Sequence, residues 1–180
     1  MRWFILALLV SLLAACGGDD EEQVPSAPDV AGFEFEESAV AEGEAIDPRF
    51  TCDGEDVSPE LAWTGIPGDS AELVLVVEDP DAPGGTFTHW LAFGIDPGET
   101  GLAEGAEGLE VAQGENDMGE LGYGGPCPPE GDTHDYVFRL LAVDEGTGLE
   151  DGASRDEVLA AVEGHVLGEA TLTAQYARRE

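Results

Sequence analysis

Apolar residues in this chain fall into short runs of strand period, separated by stretches rich in glycine and acid. Phe33-Glu34-Phe35-Glu36 alternates apolar and acidic side chains, the pattern of a strand with one face in water. Glu72 to Glu78 (ELVLVVE) is an almost unbroken β-branched run and predicts a central strand buried on both faces. Phe87 to Ile95 (FTHWLAFGI) predicts another, set off by the turn-rich Asp79-Pro80-Asp81-Ala82-Pro83-Gly84-Gly85. Tyr136 to Val143 and Ala170 to Tyr176 read as further strands, and residues 97–132 as loops with short edge strands. Ser154-Arg155-Asp156-Glu157 fits a capping box, with Val158, Leu159 and Val162 on one face of a short helix ending near Gly164. The expectation is one mainly β domain over residues 33–178 with a short C-terminal helix and no internal repeat.

The N-terminal end differs in kind. Residues 1–15 have the pattern of a targeting segment: Arg2, then an apolar run from Trp3 to Leu13 too short to span a bilayer. Leu13-Ala14-Ala15-Cys16 resembles the lipobox of prokaryotic lipoproteins, in which the cysteine is acylated and becomes the new N-terminus. The alternative is an ordinary cleaved signal with an incidental cysteine. Residues 16–32 are acidic and poor in apolar groups, which predicts a disordered tether holding the domain outside the cytoplasm on a membrane anchor.

Charge narrows the partners. The chain has 180 residues, a formal net charge of −34 and no lysine; its six basic residues are all arginine. Such a surface repels phosphate backbones, so nucleic acid is excluded as a partner. Either a high-salt habitat or drift of composition toward Gly, Ala, Asp and Glu accounts for it.

Three segments carry candidate chemistry. The Asp79–Pro83 turn is stiffened by its prolines and holds the carboxylates of Asp79 and Asp81, although it also reads as a plain acidic turn. His89-Trp90 lies within a strand, where a lone histidine is more often a satisfied core residue. Gly122-Tyr123-Gly124-Gly125-Pro126-Cys127-Pro128-Pro129 must form a defined loop, and His134 and Tyr136 beyond it share one strand face.

Together, DPDAP, His-Trp in a strand and GYGGPCPPEGDTHDYVF resemble the phosphatidylethanolamine-binding, or Raf-kinase-inhibitor-like, proteins. The resemblance is strongest to their bacterial and archaeal YbhB/YbcL-type branch. TCDGEDVSPELAW (residues 51–63) supports it. The resemblance implies a central antiparallel sheet packed with a smaller one. It also implies a pocket for a small anion, phosphate or a phospholipid headgroup, at Asp79, Pro83, His89, Pro128, His134 and Tyr136, with Asp81 and Trp90 in support. Imidazole N–H and phenol O–H groups would donate to the anion, and Asp79 would orient a histidine. The rings are expected to line one concave, water-accessible spot. Asp135 stands where many relatives carry Arg, which removes a positive charge from the rim.

With Cys16 acylated, Cys52 and Cys127 remain as an even pair, and outside the cytoplasm this suggests a disulfide between the early loop and the pocket loop; separate buried thiols are the alternative. The expected role is a binding or regulatory module rather than an enzyme, without cofactor or metal. Inhibition of a serine protease or, less readily, a kinase is the second reading, and a hydrolase using the His/Asp cluster the third. No Gly-x-Ser-x-Gly elbow is present, and short metal-ligand spacing is missing. His165 carries no motif and is read as structural. If the acidity is an adaptation to salt, the melting temperature rises from low to molar KCl as self-repulsion is screened; a flat response removes that reading.

Overall fold

The computed structural model describes residues 23–25, 27–28, 30–105 and 111–179. The signal-like run 1–15, Cys16 and the acidic start of the tether lie outside them. The chain runs through β1 (Glu34–Glu36), β2 (Leu61–Thr64), β3 (Glu72–Asp79), β4 (Phe87–Ile95), β5 (Gly101–Leu102), β6 (Ala112–Gln113), β7 (Thr133–Val143), α1 (Arg155–Val162) and β8 (Val166–Ala177). A five-stranded sheet has the order β6-β4-β3-β7-β8, and a three-stranded sheet has the order β1-β2-β5. Every pair of these strands is antiparallel.

β3 lies at the centre, and all of its residues are buried. Its side chains alternate between two cores. Leu73, Leu75 and Val77 face the small sheet, packing with Leu61, Trp63, Leu102 and Phe33. Val74 and Val76 face the other way, with Leu91, Phe93, Leu141, Val143 and the helix residues Val158 and Val162. Burial of each such side chain stabilises by about 2 kcal/mol. Summed along the strand, that is comparable with the net stability of a whole domain. The helix starts as its sequence predicts: Ser154 caps the amide of Glu157 while the Glu157 carboxylate accepts from the Ser154 amide.

The charged ends of β3 are also buried, and each carboxylate has partners, as burial demands. Glu72 accepts from the Gly94 amide at 2.7 Å and from the amide and hydroxyl of Thr147 at 2.9 and 2.8 Å. Glu78 accepts from Arg155 Nε at 2.7 Å, which pins the first turn of α1 to the sheet. His165 pairs with Asp144 at 2.9 Å, a structural role.

β7 and β8 are longer than their apolar runs predict, because they pair with each other from Thr133↔Ala177 to Val143↔Val166. The amides of Thr173 and Gln175 point away from β7 and donate to Glu42 Oε2 at 2.7 Å and Glu44 O at 2.9 Å, so the 42–46 segment covers the outer edge of β8. β2 is too short to show a period of its own; pairing with β1 and β5 creates it. Within the segment read as tether, Val24 packs against the helix-side core and Val30 against the other. No helix among the described residues is long and apolar enough to cross a membrane.

Cys52 and Cys127 form a disulfide, with Cα atoms 5.5 Å apart across a sequence separation of 75. Hydrogen bonds join the same two loops: Cys52 N to Pro126 O at 3.2 Å, Tyr123 Oη to Phe50 O at 2.6 Å and Gly125 N to Asp56 Oδ1 at 2.7 Å. Replacing both cysteines with serine is expected to remove about 4 kcal/mol of stability, the chain-entropy value for a loop of this length. Denaturant unfolding of the double variant against the oxidised parent measures it.

Candidate functional site

The candidate residues meet where the C-terminal end of β3 lies beside the N-terminal ends of β4 and β7. A β-bulge shapes this corner. Val77 pairs with Trp90, but the next residue, Glu78, pairs with Thr88, which leaves His89 as an extra residue in β4. A bulge re-aims side chains. Strict alternation would send His89 and Trp90 to opposite faces. Instead Trp90 joins the core between the sheets, and His89 lies edge-on to Tyr136 of that same core, ring centroids 5.2 Å apart. Phe87 also packs on the His89 ring, at 5.0 Å between centroids.

Each imidazole is held through Nδ1. His89 Nδ1 lies 2.7 Å from the carbonyl oxygen of Gly124. A carbonyl only accepts, so Nδ1 carries the hydrogen and donates it. Burial is the largest influence on this ring and holds its pKa below the ordinary histidine value, so it is neutral near pH 7. His134 Nδ1 lies 2.7 Å from Asp79 Oδ2 and donates to that carboxylate. The other Asp79 oxygen, Oδ1, accepts from the Asp81 amide at 2.8 Å, closing the proline-stiffened turn on itself. Asp81 Oδ2 in turn accepts from the Asp135 amide at 2.9 Å and ties this turn to β7.

Tyr136 completes the group. Its hydroxyl is buried and makes no hydrogen bond of ordinary geometry among the described residues. Burial raises its pKa, helped by the charge of Asp79 and by the approach of the hydroxyl to that carboxylate, and opposed by the Cys127 amide directed at its oxygen; neither approach reaches ordinary hydrogen-bond geometry. Pro128 is buried in the adjoining loop, whereas Pro83 is exposed at the turn. Trp90 spends its indole N–H on Gln113 Oε1 at 2.7 Å and lies edge-on to Tyr123, which makes it part of the core beside the site. The Asp135 carboxylate accepts from Gln175 Nε2 at 2.7 Å, across the β7–β8 ladder.

Asp79, His89, His134 and Tyr136 therefore converge, but water access is narrower than expected. Their exposures are 3%, 3%, 7% and 1%. Phe87 and the Gly124 loop lie against the His89 ring and cover it. That loop needs its glycines: a Cβ on Gly125 would run into Phe50 O and the Asp56 carboxylate. Asp56, Phe87 and Tyr123 are the site-building residues that sequence reasoning missed. Each lies in a segment singled out there, Asp56 in residues 51–63, Phe87 at the start of the His-Trp strand and Tyr123 in the Gly-Pro loop, but no local pattern marks its role.

Comparison with known proteins places the chain in a class. Residues 36–177 match the family model for phosphatidylethanolamine-binding protein. The chain belongs to the phosphatidylethanolamine-binding protein family. A UPF0098 protein of Methanothermobacter thermautotrophicus is 51% identical over 74% of this chain and 91% of its own length. One from Pyrococcus horikoshii is 39% identical over 97% of this chain and 88% of its own. Among solved structures, a phosphatidylethanolamine-binding protein homologue from Chlamydia trachomatis superposes with a TM-score of 0.76 at 35% identity, covering 81% of this chain and 97% of that one. E. coli YbcL, described as a new member of the mammalian family, also gives 0.76, at 29% identity over 82% and 99%.

Burial is the first cause raising the pKa of Tyr123, Tyr136 and Tyr176 alike. All three therefore stay protonated in the native state past the ordinary phenol value of about 10. Unfolded tyrosines ionise there, so the unfolded state binds fewer protons and stability falls as pH rises above about 10. Alkaline titration of phenolate absorbance, native against denatured, measures this. Native phenols that ionise together with the denatured ones contradict it.

Proposed function

We propose that this family member is a lipid-anchored binding or regulatory module outside the cytoplasm whose pocket takes a small oxyanion, phosphate or a phospholipid headgroup. The observation that carries the reading is the Tyr136 hydroxyl, enclosed beside the His89 ring with only loose approaches to the Asp79 carboxylate and the Cys127 amide and no hydrogen bond of ordinary geometry among the described residues. Leaving such a group unpaired costs about 1–3 kcal/mol, and a ligand oxygen relieves that cost. The Asp79–His134 pair and the Gly124–His89 bond pre-orient both rings, which lowers the ordering cost of binding.

Two features support an oxidising, extracytoplasmic setting: the lipobox-like Leu13-Ala14-Ala15-Cys16 and the exposed Cys52–Cys127 bridge. The site is read as binding rather than catalytic, because the sequence offers no activated nucleophile to accompany the histidines.

Titration with inorganic phosphate or glycerophosphoethanolamine, followed by tryptophan fluorescence, tests the pocket, since Trp90 adjoins His89 in β4. A His89→Ala, His134→Ala variant that folds is expected to lose the response. Tyr136→Phe separates ligand binding from structure: its stability without ligand is expected to match or exceed the parent, while anion affinity falls about tenfold, the value of a neutral hydrogen bond. Unchanged affinity in Tyr136→Phe removes the hydroxyl from the site.

A further inference from the structure

We propose that the pocket takes up a proton when it binds a phosphodiester, one imidazole becoming protonated at Nε2 as the anion enters. The inference rests on the anion-binding reading above and adds its regulation by pH. The hydrogen-bond geometry leads to it. His89 gives its Nδ1 hydrogen to Gly124 O and His134 gives its own to Asp79. In the neutral rings Nε2 is then an acceptor in both. Beside these two acceptor nitrogens the donors at hand are the Tyr136 hydroxyl and the Cys127 amide directed at its oxygen, both neutral. A phosphodiester is itself all acceptor, so each bare Nε2 opposes a phosphoryl oxygen until a proton is added between them.

The surrounding charge points the same way. Asp79 of β3 and the loop residues Asp56 and Asp117 all act on His89, and each is acidic. His134 has Asp79 on one side and Tyr176 opposite it on β8. Tyr136 sits near Asp79 and Tyr176. Four arginines of the described residues are already paired with carboxylates: Arg49 with Glu55 and Glu104, Arg139 with Glu169, Arg155 with Glu78, and Arg178 with Asp53, although Arg178 also reaches Cys127 Sγ of the pocket loop at 3.6 Å and acts on Tyr176. Arg179 lies past the end of β8, lining a cleft with Ile46 and Pro48. There is no lysine in the chain. The countercharge for a bound anion thus falls to an imidazole. The balance is simple: one proton from solvent joins Nε2, which then donates to a phosphoryl oxygen, and no covalent bond to the ligand forms.

Isothermal calorimetry with dimethyl phosphate and with glycerophosphoethanolamine tests this, because neither phosphodiester titrates near neutral pH. Repeating each titration at one pH in buffers of different ionisation heat counts the protons. The expected result is uptake of about one proton per anion, and affinity that weakens about tenfold per unit rise in pH once the free pocket is neutral. Response to both probes assigns the phosphodiester group as the ligand; response to glycerophosphoethanolamine alone assigns the headgroup. Binding with no proton uptake and a flat pH profile overturns the proposal and leaves the anion pocket standing. No binding of either probe or of inorganic phosphate removes the pocket reading and this inference with it. Nitrogen–proton correlation spectra of the imidazoles, recorded without ligand at a pH where both rings are neutral, give a check that needs no variant: each ring is expected to carry its hydrogen on Nδ1, and a neutral ring with it on Nε2 overturns the premise.

Discussion

The Asp79 carboxylate ends the central strand inside the protein, where an ionised group survives only if its oxygens are occupied. One oxygen takes the amide of Asp81 and the other the Nδ1 hydrogen of His134. From this requirement follow the shape of the turn after β3, the orientation of the imidazole on β7 and the negative potential beside Tyr136. Replacing the turn by a looser one would leave a buried charge half satisfied. The prolines on either side of Asp81 keep that turn in place by restricting the backbone rather than by adding contacts.

Around this corner the fold supplies rigidity from two directions. The central sheet holds β3, β4 and β7 through cores on both faces. The disulfide and its companion hydrogen bonds hold the Gly124 loop against the loop at Phe50–Asp56. Gly124 therefore offers its carbonyl to His89 at a fixed place, and the tautomer of that ring becomes a property of the fold rather than of the histidine. A core stitched in this way tolerates an enclosed hydroxyl on Tyr136, which a small isolated sheet would not.

A chain of net charge −34 has few cations to spend, and their placement is informative. Arg155 is largely buried against Glu78 and joins the helix to the sheet. Arg49 and its glutamates lie exposed, where ion pairs stabilise little. The candidate pocket is built from imidazole and phenol instead of arginine. Its electrostatics are consequently set by which ring nitrogens carry hydrogen.

Much of this was readable from the chain. The β-branched run of β3 predicts burial on both faces because adjacent side chains of a strand point opposite ways, and the Ser154–Glu157 box predicts where α1 begins because those groups satisfy nearby amides. The two-residue spacing of His134 and Tyr136 places them together for the same reason as in β3. What the tertiary structure alone decided is the bulge at His89, the pairing that lengthens β7 and β8, and the approach of Asp56 and Gly124 from distant loops. Local spacing carries a period but not a register, and register depends on strands far away in sequence. The period by itself separates His89 from Trp90; only the slipped pairing with β3 turns both toward the core that holds Tyr136.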